Sequence, residues 1–68
     1  AHNTYDLGST AVRFANIFSA DLQLSNKDAN PNIVDGTWGD WTLQEGEEDI
    51  FMINNRSGKK YKINLTEV

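Results

Sequence analysis

His2 is the single histidine of this 68-residue sequence and the one side chain that titrates near neutral pH without a large pKa shift. It stands at an end of the chain where fraying is expected, and the serines find no histidine partner in any workable frame. Glu45, Glu47 and Glu48 offer paired carboxylates, the groups that hydrolyse glycosides. They fall in a charged turn where nothing shields one from water or separates two pKa values. Asp28-x-Asn30-x-Asn32 begins like a calcium loop, which then needs Gly at its sixth position and Glu at its twelfth. Counted from Asp28, those places hold Ile33 and Gly39. With no cysteine there is no disulfide and no thiolate metal site. The chain reads as a non-enzyme with no metal and no cofactor.

Recognition is the chemistry that remains. Trp38 follows Gly36-Thr37 and precedes Gly39, at the mouth of a loop over residues 26–36. An exposed indole offers apolar area with one polar handle, a platform for a sugar ring or a protein partner. The competing use of Trp38 is packing against a neighbouring chain. The loop holds the single proline, Pro31, and ends in the turn signal Asp35-Gly36. Loops held on a rigid scaffold carry binding, so the candidates for receptor contact are Lys27, Asp28, Asn30, Asn32, Asp35 and Trp38. Asn55-Arg56-Ser57 and Asn64-Leu65-Thr66 match the glycosylation acceptor pattern, but they read as a polar turn and a polar strand face.

The elements that must hold this loop are mostly strands. Residues 38–44 alternate, with Trp41 and Leu43 against Asp40 and Thr42. Residues 50–54 begin with the continuous apolar run Ile50-Phe51-Met52-Ile53, which wants cover on both faces. Residues 59–68 alternate again, with Tyr61, Ile63 and Leu65 on one side. Two charged turns, over 45–49 and 54–58, make these three strands a meander. Lys59, Lys60 and Lys62 are expected to pair across it with Asp40 and the acids of 45–49. Upstream, residues 21–25 alternate as a strand, and 5–7 form a shorter one. Phe14, Ile17 and Phe18 fall at i, i+3 and i+4, with Ser9 or Thr10 as N-cap, so residues 11–19 are expected to form a short helical turn. So short a helix must dock against something.

Sixty-eight residues make at most one domain. A monomer of this size buries only about 60% of the surface its unfolded chain exposes. Disulfides, metals or self-association usually compensate, and elimination leaves the third, with a well-packed monomer as the alternative. A net charge of −4, from six basic and ten acidic groups, argues against nucleic-acid partners and anionic membrane surfaces. No apolar stretch approaches the roughly 20 residues of a membrane-inserted helix. No signal peptide is visible.

Two segments carry a family resemblance. Asp6-Leu7-Gly8-Ser9, followed by Arg13-Phe14 and Asn16-Ile17-Phe18, resembles a segment common near the C-terminal ends of bacteriophage tail-fibre proteins. Asp35 to Asp49, with Trp38 and Trp41, followed by Asn54 to Lys62, resembles the closing segment of the same proteins. Phe14 stands where Trp is more usual, which keeps an aromatic in place. No Ser-Asp cleavage signature accompanies the motif, so the autocleaving chaperone activity of some relatives is not carried over.

The resemblance implies a homotrimeric fibre end on a virion, facing outward, whose distal region binds a host surface receptor (glycan or protein) or locks the trimer. A bacterial surface adhesin built on the same fibre end is the alternative setting. The expected fold is all-β: an intertwined homotrimer with a short N-terminal helical turn and a C-terminal antiparallel three-stranded meander. The single domain divides into a shaft-like segment over 1–25, a loop over 26–36 and the meander over 37–68. Leu7, Phe14, Ile17, Phe18, Leu22 and Leu24 are expected near the trimer axis, and Phe51, Ile53, Tyr61 and Ile63 at the closed ends of the sheets.

Overall fold

The computed structural model describes residues 4–68, so His2 lies outside the described residues. Four strands form one antiparallel sheet: β1 Asp21–Ser25, β2 Asp40–Glu45, β3 Ile50–Asn54 and β4 Lys60–Lys62. Their order in the sheet is their order in the chain. The fold is all-β, with no helix among the described residues.

The meander is thus four-stranded, because residues 21–25 pair with β2 across the 26–39 connection. Leu22 faces Leu43 and Leu24 faces Trp41 in that pairing. β3 coincides with the expected span and lies inside the sheet, between β2 and β4. β2 starts at Asp40 instead of residue 38, since Gly39 is drawn into bonds with Asn26. The last strand stops at Lys62, well short of residue 68. The Ile63 amide still donates to the Ile50 carbonyl at 2.9 Å. Beyond it β3 has ended, so residues 64–68 have no ladder to join.

The expected helix over 11–19 does not form, and neither does the strand over 5–7. The capping signal itself is present: the Val12 amide donates to Ser9 Oγ at 2.9 Å, and Ser9 donates to the Val12 carbonyl at 2.8 Å. One turn closes and nothing propagates it. A nucleus costs more than a single turn returns, and no apolar surface of the same chain receives Phe14, Ile17 or Phe18, all three of which are exposed.

Register sorts the side chains onto two faces. One face holds Leu22, Leu24, Trp41, Leu43, Met52 and Tyr61, an unbroken apolar surface across all four strands. Trp41 and Tyr61 meet there with ring centroids 5.8 Å apart and planes tilted by 43°, a contact worth about 0.5–1.5 kcal/mol. The opposite face is polar at Asp21, Gln23, Thr42 and Gln44, then apolar at Phe51 and Ile53, which Lys62 and Lys60 oppose. Phe51 and Ile53 therefore lie on the other side of the sheet from Tyr61 by register. Two of the three lysines expected to pair with acids instead lie beside aromatic and aliphatic groups, though Lys62 also shares a shallow cleft with Glu48 and Asp49.

No apolar side chain is buried among the described residues. The one buried residue is polar: Thr42, 7% exposed. Its hydroxyl donates to Gln23 Oε1 at 2.7 Å and accepts from Asn55 Nδ2 at 3.0 Å, so its burial is satisfied. Stable domains stack two layers around a core. The described residues form one layer, whose apolar face is half-buried at Trp41, Leu43 and Met52 and exposed at Leu22, Leu24 and Tyr61.

Candidate functional site

The connection between β1 and β2 is a built loop, held by two asparagines. Asn26 sits directly after β1, and its side-chain oxygen accepts the Gly39 amide at 2.7 Å. Its Nδ2 donates to the carbonyls of Asn30 and Thr37, at 3.2 and 3.3 Å. Asn32 serves the distal turn. Its Oδ1 accepts the amides of Val34 and Asp35, at 2.9 and 3.0 Å, and its Nδ2 reaches Asp35 Oδ1 at 2.7 Å and the Thr37 carbonyl at 2.9 Å. Short polar side chains satisfy turn backbone in this way. Gly36, with φ 72°, closes the turn in the left-handed region that glycine enters without strain. Asp28 takes a φ of 57°, which Asp tolerates better than most residues.

Asp35 is the electrostatic pin of the distal turn. Its Oδ1 accepts the Thr37 hydroxyl at 2.7 Å, the Asn32 amide at 2.7 Å and the Thr37 backbone amide at 3.1 Å. The Thr37 hydroxyl, first, and the Asn32 amide, second, hold its carboxyl below its ordinary pKa. A depressed carboxylate contributes order that is fully present above its unfolded pKa, about 3.9, and is lost as pH falls through the lower folded value. Acidification below pH about 4 is therefore expected to lower the protection of the Thr37 amide, its exchange rate taken relative to the intrinsic rate at each pH. An Asp35 carboxyl that titrates at or above the ordinary value would contradict this.

The β3–β4 turn supplies the second wall. Asn54 Oδ1 accepts the amides of Arg56 and Ser57 at 2.9 and 3.3 Å, and Gly58 ends the turn with φ 78°. Asn55 ties the turn to β2 through the Asp40 carbonyl at 2.8 Å and Asp40 Oδ1 at 3.0 Å. Arg56 is thereby brought to Trp38. Its guanidinium carbon lies 3.7 Å from the indole centroid, and its Nη1 donates to the Trp38 carbonyl at 2.9 Å. Lys27 Nζ lies 5.9 Å from the same ring. Between loop and turn opens a cleft of about 480 Å³, on whose walls stand Lys27, Asp28, Trp38 and Arg56. That volume is in the range of small-ligand sites.

Three of the six sequence candidates, Lys27, Asp28 and Trp38, therefore meet at one cleft. Asn32 and Asp35 spend their polar groups inside the loop and act as its frame. Asn30 contributes its carbonyl to Asn26 and does not line this cleft. Arg56 and Asn26 are absent from the sequence candidates. The signal for Arg56 was available: pairing 38–44 with 50–54 across the acidic turn sets residues 54–58 beside Trp38. Among the described residues, no group of three or more His, Cys, Asp or Glu side chains is arranged to hold a metal ion. No helix among them is long and apolar enough to cross a membrane. Compared with family models, with curated proteins and with solved structures, the chain finds no match in any of the three.

Proposed function

We propose that this chain is a homotrimeric fibre-end domain of the tail-fibre type, which takes part in attachment to a host surface receptor through the 26–38 loop. One observation carries the reading: a folded sheet with an apolar face across its strands and, among the described residues, no buried apolar side chain. Burying a Leu, Ile or Phe is worth roughly 1.5–3 kcal/mol. One copy collects that gain only in part: the β2 and β3 apolar side chains are half-buried, while Leu22, Leu24 and Tyr61 stay exposed. Other copies of the chain supply the missing layer, and the resemblance of the two motifs to trimeric fibre ends implies three copies. The loop adds the recognition element, because its hydrogen-bonded frame holds Trp38 at the surface without help from a ligand.

The second reading is a trimerisation clamp that contacts no receptor, and the quantity of bare apolar surface favours it equally. Fusing the domain to an unrelated monomeric shaft separates the two. Trimers that gain binding to host cells, lost in a Trp38→Ala, Asn30→Ala variant, support attachment. Trimers that bind no better than the bare shaft leave the clamp. A fusion that stays monomeric removes both.

A further inference from the structure

We propose that the cleft between the 26–38 loop and the β3–β4 turn takes an acidic sugar, one bearing a carboxylate or a phosphate, with Arg56 as the anion-binding residue. This rests on the receptor-binding reading of the same loop and names the chemical class of its ligand.

The first support is the state of Arg56. Its guanidinium carbon lies over the Trp38 indole, 3.7 Å from the ring centroid, and Nη1 is tied to the Trp38 carbonyl at 2.9 Å. A guanidinium has five N–H donors in a rigid fork, and the bond to Trp38 uses one of them. The others belong to a side chain that lines an open cleft. A fork held in place by stacking has already lost its rotamer freedom, so little more is lost when an anion docks. Planar, bidentate recognition of carboxylate or phosphate is what such a fork does best.

The second support is Lys27. Its ammonium stands near the same ring, so two of the chain's six basic side chains gather at one indole. In a chain of net charge −4 that gathering is against the average field. Both cations line the same cleft, so an anion bound in it is attracted by each.

The third support is Asp28, the one carboxylate on the cleft wall. It would oppose a bare inorganic anion. A sugar hydroxyl, however, donates to a carboxylate, so a ligand with an anionic end and a hydroxyl-bearing ring satisfies Arg56, Lys27 and Asp28 together. Trp38 then acts mainly as the plate that orients Arg56, since one of its faces is already covered by the guanidinium.

The test uses the assembled protein and four probes: galacturonate, galactose 6-phosphate, galactose and inorganic phosphate. Binding is read from the Trp38 indole N–H resonance and by calorimetry, at low and at high salt. Galacturonate or galactose 6-phosphate should bind, more weakly as salt rises, and galactose should not. Whichever of the two binds more tightly identifies the anionic group. Arg56→Gln should weaken that binding about tenfold and Lys27→Gln about threefold, with the assembled mass unchanged. Galactose binding as tightly as its charged derivatives, or Arg56→Gln binding like the parent, would overturn the proposal. Inorganic phosphate binding as tightly as either sugar would overturn its saccharide part. Host-cell attachment separates this from the broader reading: if cells bind Arg56→Gln as they bind the parent, the ligand class is wrong and the receptor site stands. If the parent binds no cells, the receptor reading fails and the titrations alone decide the chemistry of the cleft.

Discussion

Leu24→Asp should dismantle the folded protein, although Leu24 is 47% exposed in a single copy. The position is chosen because the two views of this molecule differ most there. On the surface of a self-sufficient monomer, such a change usually stays within about 0.5 kcal/mol. Leu24 lies opposite Trp41 on the apolar face, on the edge strand β1. If other copies cover that face, each copy buries an unpaired carboxylate, at an effective cost of about 3 kcal/mol or more. Several copies pay it at once, so the assembly should dissociate and thermal melting should fall by far more than 10 °C, since about 1 kcal/mol already shifts a domain of this size by roughly 4–8 °C. Differential scanning calorimetry with light scattering reads both. A variant with the parent's melting temperature and mass would show that nothing covers the face.

The second large effect is expected from the N-terminal arm. Phe14, Ile17 and Phe18 are 55%, 72% and 95% exposed in one copy. Their triple replacement by serine removes no apolar core of the single chain, because none is present among the described residues. In an assembly where the arm lies on a neighbour, the loss is on the order of 5 kcal/mol per copy, taking roughly 1.5–3 kcal/mol for each side chain. Melting temperature should drop and become steeply dependent on protein concentration, the signature of folding linked to association. Unchanged melting at every concentration would detach the arm from the assembly.

The sheet was legible where patterning is strong and its partner is near in sequence. Trp41 and Leu43 alternate, β3 is a continuous apolar run, and a charged turn joins them. Such a hairpin is specified by its own residues. β1 was legible as a strand from Leu22 and Leu24, but its partner was not, because the connection to β2 contains a built loop whose length hides the pairing. The arm was misread for a physical reason. The spacing of Phe14, Ile17 and Phe18 fits a helical face, but a face without a surface to dock on earns nothing, and the chain stays irregular after one capped turn. The strand over 59–68 was overextended because alternation continues through Ile63 and Leu65 while the length of β3 decides where pairing stops. At the cleft, Trp38 and Lys27 stood out by type and place. Arg56 required the β2–β3 register, and Asn26 required knowing that Gly39 folds back to it.

Sedimentation velocity at micromolar concentration bears most directly on the claim that one sheet cannot shelter its own apolar face. Self-association gives a single species near three times the 7.6 kDa chain mass, and on dilution it loses folded structure and mass together. A folded species at the mass of one chain, stable at the lowest measurable concentration, would mean that the bare face needs no cover.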